Sequence, residues 1–289
     1  MREHDVFSAD GTRIRLWRTD ADGPDVLLSP GLGVVPEVWP ELSSARVHSW
    51  YHRGTMESDR PADPRRIELD DHVADALAVL DDGEVERCVV MGWSMGVTVA
   101  AELALRYPDR VSGLMLVAGA PGDTFASVLG LPGVPVELRR LIGVSGATAL
   151  KAAGPLLDAV LHRVPVPDVG GPLTGSLKRY LKHDWRWYFT LALALGRAPR
   201  LDLTGVTCPT TVLAGRYDLL ASPDGVVGPV SGLPQARVRM LPNTHLLPLE
   251  DPQVVVEELE LLLDRADAVR RAVDEDVEGP LTSRSRPRA

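Results

Sequence analysis

The sequence predicts an α/β protein: a mainly parallel sheet, covered by helices on both faces and interrupted by one helical insertion. Three observations carry that prediction. Short apolar runs alternate with helical patterns on both sides of a central segment. The stretch CVVMGWSMG changes from one pattern to the other at a serine between two glycines. Residues 121–200 contain no clear strand. A strand buried on both faces reads as a continuous apolar run, which is how strands of a parallel sheet under helices look.

Taken in order, residues 3–19 alternate in polarity on either side of Asp10-Gly11 and predict a hairpin about that turn pair. Further strands are predicted at DVLLSP (25–30), RVHSWY (46–51), RCVVMG (87–92), GLMLVAG (113–119), TTVLAG (210–215) and ARVRML (236–241). Between them, residues 68–82 place Val73, Ala76, Leu77 and Leu80 on one helical face, with aspartates opposite. Residues 95–108 are apolar almost all round, as a helix packed beneath a sheet must be, and 251–273 make a long terminal helix. The insertion is helical between Pro and Gly breaks and fits a lid or cap. It holds ten Lys or Arg against five Asp or Glu, a formal +5 that leaves −14 on the rest of the chain. The expected organisation is a core of residues 1–120 and 201–273, a cap of 121–200, and a polar, disordered tail, 274–289.

Composition excludes several classes. A chain of 289 residues, 45% hydrophobic and 25% charged, describes an ordinary globular protein with one large core. Its net charge of −9 argues against a nucleic-acid partner. The first residues, MREHDVFSADG, lack the apolar stretch of a secretory signal, and no run approaches the roughly 18 apolar residues of a membrane span. Cys88 and Cys208 fall in or beside core strands, which predicts buried reduced thiols in a cytoplasmic protein rather than a disulfide. With two cysteines and scattered histidines, neither a metal site nor a cofactor is expected.

Chemistry is expected at the corner GWSMG, Gly92 to Gly96. A sharp strand-to-helix turn strains its central residue and brings together the residues two before and two after. Glycine at both places removes the Cβ atoms that would collide. Ser94 then stands clear at the mouth of the sheet, before the free amides and positive end of the helix beginning at Met95. A serine acting only as the N-cap of that helix would need neither glycine.

Serine attacks only when a base takes its proton, and the base needs a carboxylate to orient it. Of the seven histidines, His245 follows the strand at 236–241 by a short loop, which returns it to the sheet edge carrying Ser94. Asp218 follows the strand at 210–215 in the same way, and loops at the carboxyl ends of parallel strands converge. Asp224 is the rival acid, with a helix cap as its plainer role; a simple loop residue is the plainer account of His245. The expected oxyanion donors are the Met95 amide and an amide of the loop PGLG (30–33), Leu32 first and Gly33 second. The plainer account of that loop is a Gly-rich turn.

Together these residues resemble the α/β-hydrolase superfamily over most of residues 5–270. PGLG is similar to the His-Gly oxyanion motif of its esterases and lipases, with Pro30 where histidine is common. YHRGTMESDRP (51–61) resembles the D-x-R-G-x-G-x-S loop, with Met56 for the second glycine. NTH at 243–245 stands where Gly-His is usual. The resemblance implies an eight-stranded, mostly parallel core flanked by helices, an inserted helical cap, and a triad of Ser94, His245 and Asp218. Dehalogenases and epoxide hydrolases of this fold use an aspartate nucleophile, so a serine argues against both. The C–C bond hydrolases carry a more glycine-rich oxyanion loop, and cofactor-free haloperoxidases share the triad.

The expected activity is hydrolysis of a carboxylic ester or thioester through an acyl-enzyme. The same triad would also serve acyl transfer, lactonisation or elimination in a biosynthetic route. A silent scaffold that binds a ligand beneath the cap is the alternative of a different class. HDWRWYFTLALALG (183–196) is expected to wall an apolar acyl pocket with Trp185 and Trp187, joined by Trp39, Trp93 and Gly33, unless those aromatics only pack the cap on the core. The cationic cap suits an anionic substrate or an acidic carrier protein, a solvated face being the plainer reading. The expected partner is therefore a small acyl compound, free or carrier-bound.

Overall fold

The computed structural model describes residues 1–130, 134–168 and 170–278. Eight strands form one sheet: β1 Arg2–Phe7, β2 Arg13–Arg18, β3 Asp25–Ser29, β4 Arg46–Trp50, β5 Cys88–Trp93, β6 Val111–Val117, β7 Thr210–Gly215 and β8 Ala236–Leu241. Their order is β1-β2-β4-β3-β5-β6-β7-β8, antiparallel across the first two junctions and parallel across the rest. The first two strands pair as the expected hairpin, with Phe7 opposite Arg13. Their connection is a three-residue loop rather than a two-residue turn: the Ser8 amide donates to the Thr12 carbonyl, and Gly11 takes φ +80°. The last position of such a loop is left-handed, which glycine adopts without a Cβ penalty.

The helices are α1 Leu69–Asp82, α2 Gly96–Arg106, α3 Val136–Ala152, α4 Gly154–Leu161, α5 Gly171–Leu181, α6 Trp185–Gly196, α7 Pro223–Val227, α8 Leu247–Glu250 and α9 Pro252–Glu278. Successive residues of the central strands point into two different apolar layers. Val90, Leu114, Leu116 and Val212 share one layer with buried residues of α1 and α2. Val89, Met91, Met115 and Leu213 share the other with Val255, Leu259 and Leu262 of α9. β5 and β7 are buried at every residue, which is why their sequences show no alternation.

Between β6 and β7 the described residues hold α3 to α6 and no strand. α5 and α6 are tied to the loops after β3 and β4. Arg60 meets Asp184 at 2.5 Å, Arg179 lies 3.5 Å from Glu37 and 3.3 Å from Glu57, and the Trp187 indole donates to the Arg53 carbonyl at 3.0 Å. At the other end, α9 runs through residues 274–278 of the segment expected to be disordered. Along this stretch Arg270 pairs with Asp267 at 2.5 Å and Asp274 at 3.7 Å, and Arg271 with Asp267 at 3.1 Å, exposed pairs at helical spacing. The remainder of that tail lies outside the described residues.

Cys88 and Cys208 are buried and unpaired, and burial pushes their thiols up to about 12 and about 11. Among the described residues no helix is long and apolar enough to cross a membrane, and no group of three or more His, Cys, Asp or Glu could hold a metal.

Candidate active site

Ser94 takes φ +55°, the left-handed conformation that a sharp strand-to-helix turn imposes, and its amide donates to the Val117 carbonyl at 3.0 Å. A Cβ on Gly92 would stand 2.6 Å from the Gly96 carbonyl oxygen and 2.8 Å from Val97 Cα. A Cβ on Gly96 would collide with the Ser29 carbonyl and lie 2.6 Å from that of Pro30. The second glycine thus has a further role: it lets α2 press against the chain leaving β3. The N-cap of α2 is Met95, without a side-chain cap bond, so Ser94 is not spent on capping.

The Ser94 hydroxyl instead faces His245, with Oγ 2.8 Å from Nε2. His245 Nδ1 lies 2.9 Å from Asp218 Oδ2, and Asp218 Oδ1 accepts the Leu220 and Ala221 amides, both at 2.8 Å. A carboxylate can only accept, so Nδ1 carries the imidazole proton and Nε2 is free to accept from serine. The loops are braced from below: Arg216 N–H donates to the Leu241 carbonyl at 2.8 Å and Tyr217 N–H to that of Asn243 at 3.0 Å. Thr244 N–H donates to Glu250 at 2.7 Å, and the Trp93 indole donates to the His245 carbonyl at 3.1 Å. Asp224 does not reach the histidine. It lies in the first turn of α7, whose cap is Ser222 rather than Asp224 as expected, because the Ser222 hydroxyl accepts the Gly225 amide.

The loop after β3 closes on the same point. A Cβ on Gly31 would lie 3.4 Å from Ser94 Cβ, and Gly33 takes φ +73°. Among the described residues, neither the Leu32 nor the Met95 amide donates to a protein acceptor, so both are available to a ligand. Sequence reasoning missed what holds this loop. His52, fully buried, donates from Nε2 to the Pro30 carbonyl at 2.9 Å, and its Nδ1 lies 3.1 Å from Nδ1 of His72. Burial pushes His52 down to about 4 and His72 well below its ordinary range. The available signal was His72 itself, a polar residue in helical phase with Ala76 and Val79 on the buried face of α1.

A cavity of about 650 Å³ opens on Ser94 and His245. Gly33 and Trp93 line it together with Leu32 and Met95, but Trp39, Trp185 and Trp187 do not. The α6 wall is made by Tyr188, Phe189 and Ala192, which share one helical face. Trp187 falls on the opposite side, where Arg60 covers its ring at 4.6 Å. Trp185 begins the cavity-facing side one turn too early and packs behind it, 5.2 Å from the Tyr188 ring. Trp39 supports Trp93 edge-on, with ring centroids 5.5 Å apart.

A mostly parallel sheet of this order, with serine, aspartate and histidine meeting beyond the carboxyl ends of β5, β7 and β8, defines the α/β-hydrolase architecture. Residues 25–140 match the family model described as alpha/beta hydrolase fold. The RutD protein of Pantoea ananatis, named for carbamate hydrolysis, is 31% identical over 256 residues, covering 82% of this chain and 87% of that one. The chain belongs to the α/β-hydrolase family. A pimeloyl-[acyl-carrier protein] methyl ester esterase of Aliivibrio salmonicida is 34% identical over 123 residues, but the match spans only 41% of this chain and 44% of that esterase. A hydrolase from Pseudomonas aeruginosa shares the fold with a TM-score of 0.69 at 23% identity, over 91% of this chain and 98% of that one.

Proposed function

We propose that the protein is a serine hydrolase that cleaves a carboxylic ester or thioester through an acyl-enzyme. The observation that carries this reading is the unbroken chain of hydrogen bonds from buried Asp218 through His245 to Ser94, ending in an apolar cavity. The names of the family members it resembles, an esterase and a carbamate hydrolase, support it.

His245 Nε2 takes the Ser94 proton as Oγ bonds to the carbonyl carbon, and the carbonyl oxygen becomes an oxyanion between the Leu32 and Met95 amides. Collapse breaks the bond to the leaving oxygen or sulfur, which receives the proton from His245. Water then gives a proton to the same nitrogen and attacks the acyl carbon. The acid departs as Ser94 regains its proton. Asp218 holds the imidazole in one tautomer and stabilises the imidazolium formed in each step. Residues 121–200 act as a cap over the site, and the +5 charge of that segment suits an acyl group presented by an acidic carrier.

An alkyl fluorophosphonate tests the reading. It is expected to label the wild-type protein once and to leave Ser94→Ala unlabelled. A folded wild type that resists labelling, or a variant that labels equally, defeats it. A panel of p-nitrophenyl and thioester acyl chains, with and without alcohol acceptors, then separates hydrolysis from transfer.

A further inference from the structure

Beyond the triad, the cavity speaks to the substrate through what its walls lack. The described residues that line it include no Asp, Glu, Lys or Arg. The polar side chains are Ser94, His245, Thr124, Ser176, Tyr180 and Tyr188, and most already have partners. The two tyrosine hydroxyls meet at 3.1 Å, and the Ser176 hydroxyl lies 3.4 Å from Glu37. Arg179, beside Tyr180 in sequence, faces Glu37 and Glu57 instead of the cavity wall.

The same neutrality extends to both sides of the nucleophile. Val35 after β3, Phe125 after β6, Ala221 after β7 and Leu249 after β8 all line the one cavity. Ser94 follows β5, which lies between β3 and β6 in the sheet. Its outer part is apolar too: Leu220 and Leu246 are 53% and 48% exposed.

We infer that the substrate is a neutral ester whose acyl and leaving groups are both apolar near the scissile bond, and that the cavity rejects a carboxylate on either. This rests on the serine-hydrolase reading and narrows it. An ionised group placed here loses its water and finds no cation, whereas an alkyl or aryl group exchanges water for aliphatic and aromatic walls. An anionic carrier is compatible only if its charges stay outside, beyond the apolar rim.

Matched substrates test this at pH 7.5. One pair is p-nitrophenyl hexanoate and the mono-p-nitrophenyl ester of hexanedioic acid; the other is phenyl hexanoate and 4-carboxyphenyl hexanoate. In each pair the neutral member is expected to have a kcat/KM about 100-fold higher or more. Rates within threefold of each other, or a preference for the carboxylate, overturn the inference. If no ester turns over, the labelling rates of Ser94 by hexyl and by carboxyl-terminated alkyl fluorophosphonates make the same comparison. Loss of all labelling sinks the serine-hydrolase reading itself, and this inference with it. Leu220→Arg supplies the missing cation and is expected to raise the carboxylate-to-neutral ratio at least tenfold. No rise in that ratio would show that something other than wall neutrality sets the preference.

Discussion

His52 donates from Nε2 to the carbonyl of Pro30 at 2.9 Å, from a position fully shut off from solvent. Pro30 precedes the Gly31–Gly33 loop that closes on Ser94, and in the proposed mechanism this bond positions the Leu32 amide for the oxyanion. Removing it is expected to disturb the transition state more than substrate binding. His52→Ala should lower kcat by about 10²-fold, the scale for loss of one oxyanion donor, with a small change in KM. Steady-state kinetics checks this. An unchanged kcat in a folded variant would leave His52 a packing residue only.

The same histidines make stability depend on pH. Burial holds His52 at about 4 and His72 well below its ordinary range, and it also lowers His48 and His183 from 6.5. Between pH 6.5 and 4 the unfolded chain therefore binds protons that the folded chain does not. Stability is full above that window and is lost as pH falls through it, by up to about 1.4 kcal/mol per pH unit for each histidine. Urea midpoints at pH 7.5 and 5.0 are expected to differ, the lower at pH 5.0.

Asp218→Asn tests the tautomer. An amide at this place can still accept from Leu220 and Ala221, so the loop is expected to keep its shape. Its NH2 group would leave Nδ1 as an acceptor and put the imidazole proton on Nε2, facing Ser94. A fall in kcat of about 10⁴-fold with an unchanged thermal midpoint is expected. Activity within tenfold of wild type would mean that another acid serves His245.

Gly96→Ala places a methyl group against the Ser29 and Pro30 carbonyls. The backbone must move to admit it, and overpacking of this kind costs about 1–3 kcal/mol. Because the displaced chain leads into the loop proposed to hold the oxyanion, activity should fall further than stability explains. Urea unfolding and kcat, measured on the same preparation, separate the two effects.

Much of this site was legible because its signals are local. GWSMG declares a strained turn by its own glycines. His245 and Asp218 could be found from their places just after two apolar runs, since parallel strands deliver such loops to one edge. The pocket walls could not be found that way. HDWRWYFT advertises its tryptophans, yet Tyr188 and Phe189 face the cavity, because the phase of α6 against the sheet decides which side of that helix is turned inward. Pro30 and His52 carry no joint signal in the sequence. In the fold they meet, the His52 ring donating to the backbone carbonyl of residue 30.

By itself, then, the sequence determined the strand and helix order, the elbow and the three side chains, Ser94, Asp218 and His245, that the fold brings together. These follow from periodicity, steric need and position after a strand, all of which act over a few residues. Only the tertiary structure decided the cavity's neutral lining and the pairing of the two buried histidines. Both arise from the relative placement of segments far apart in the chain.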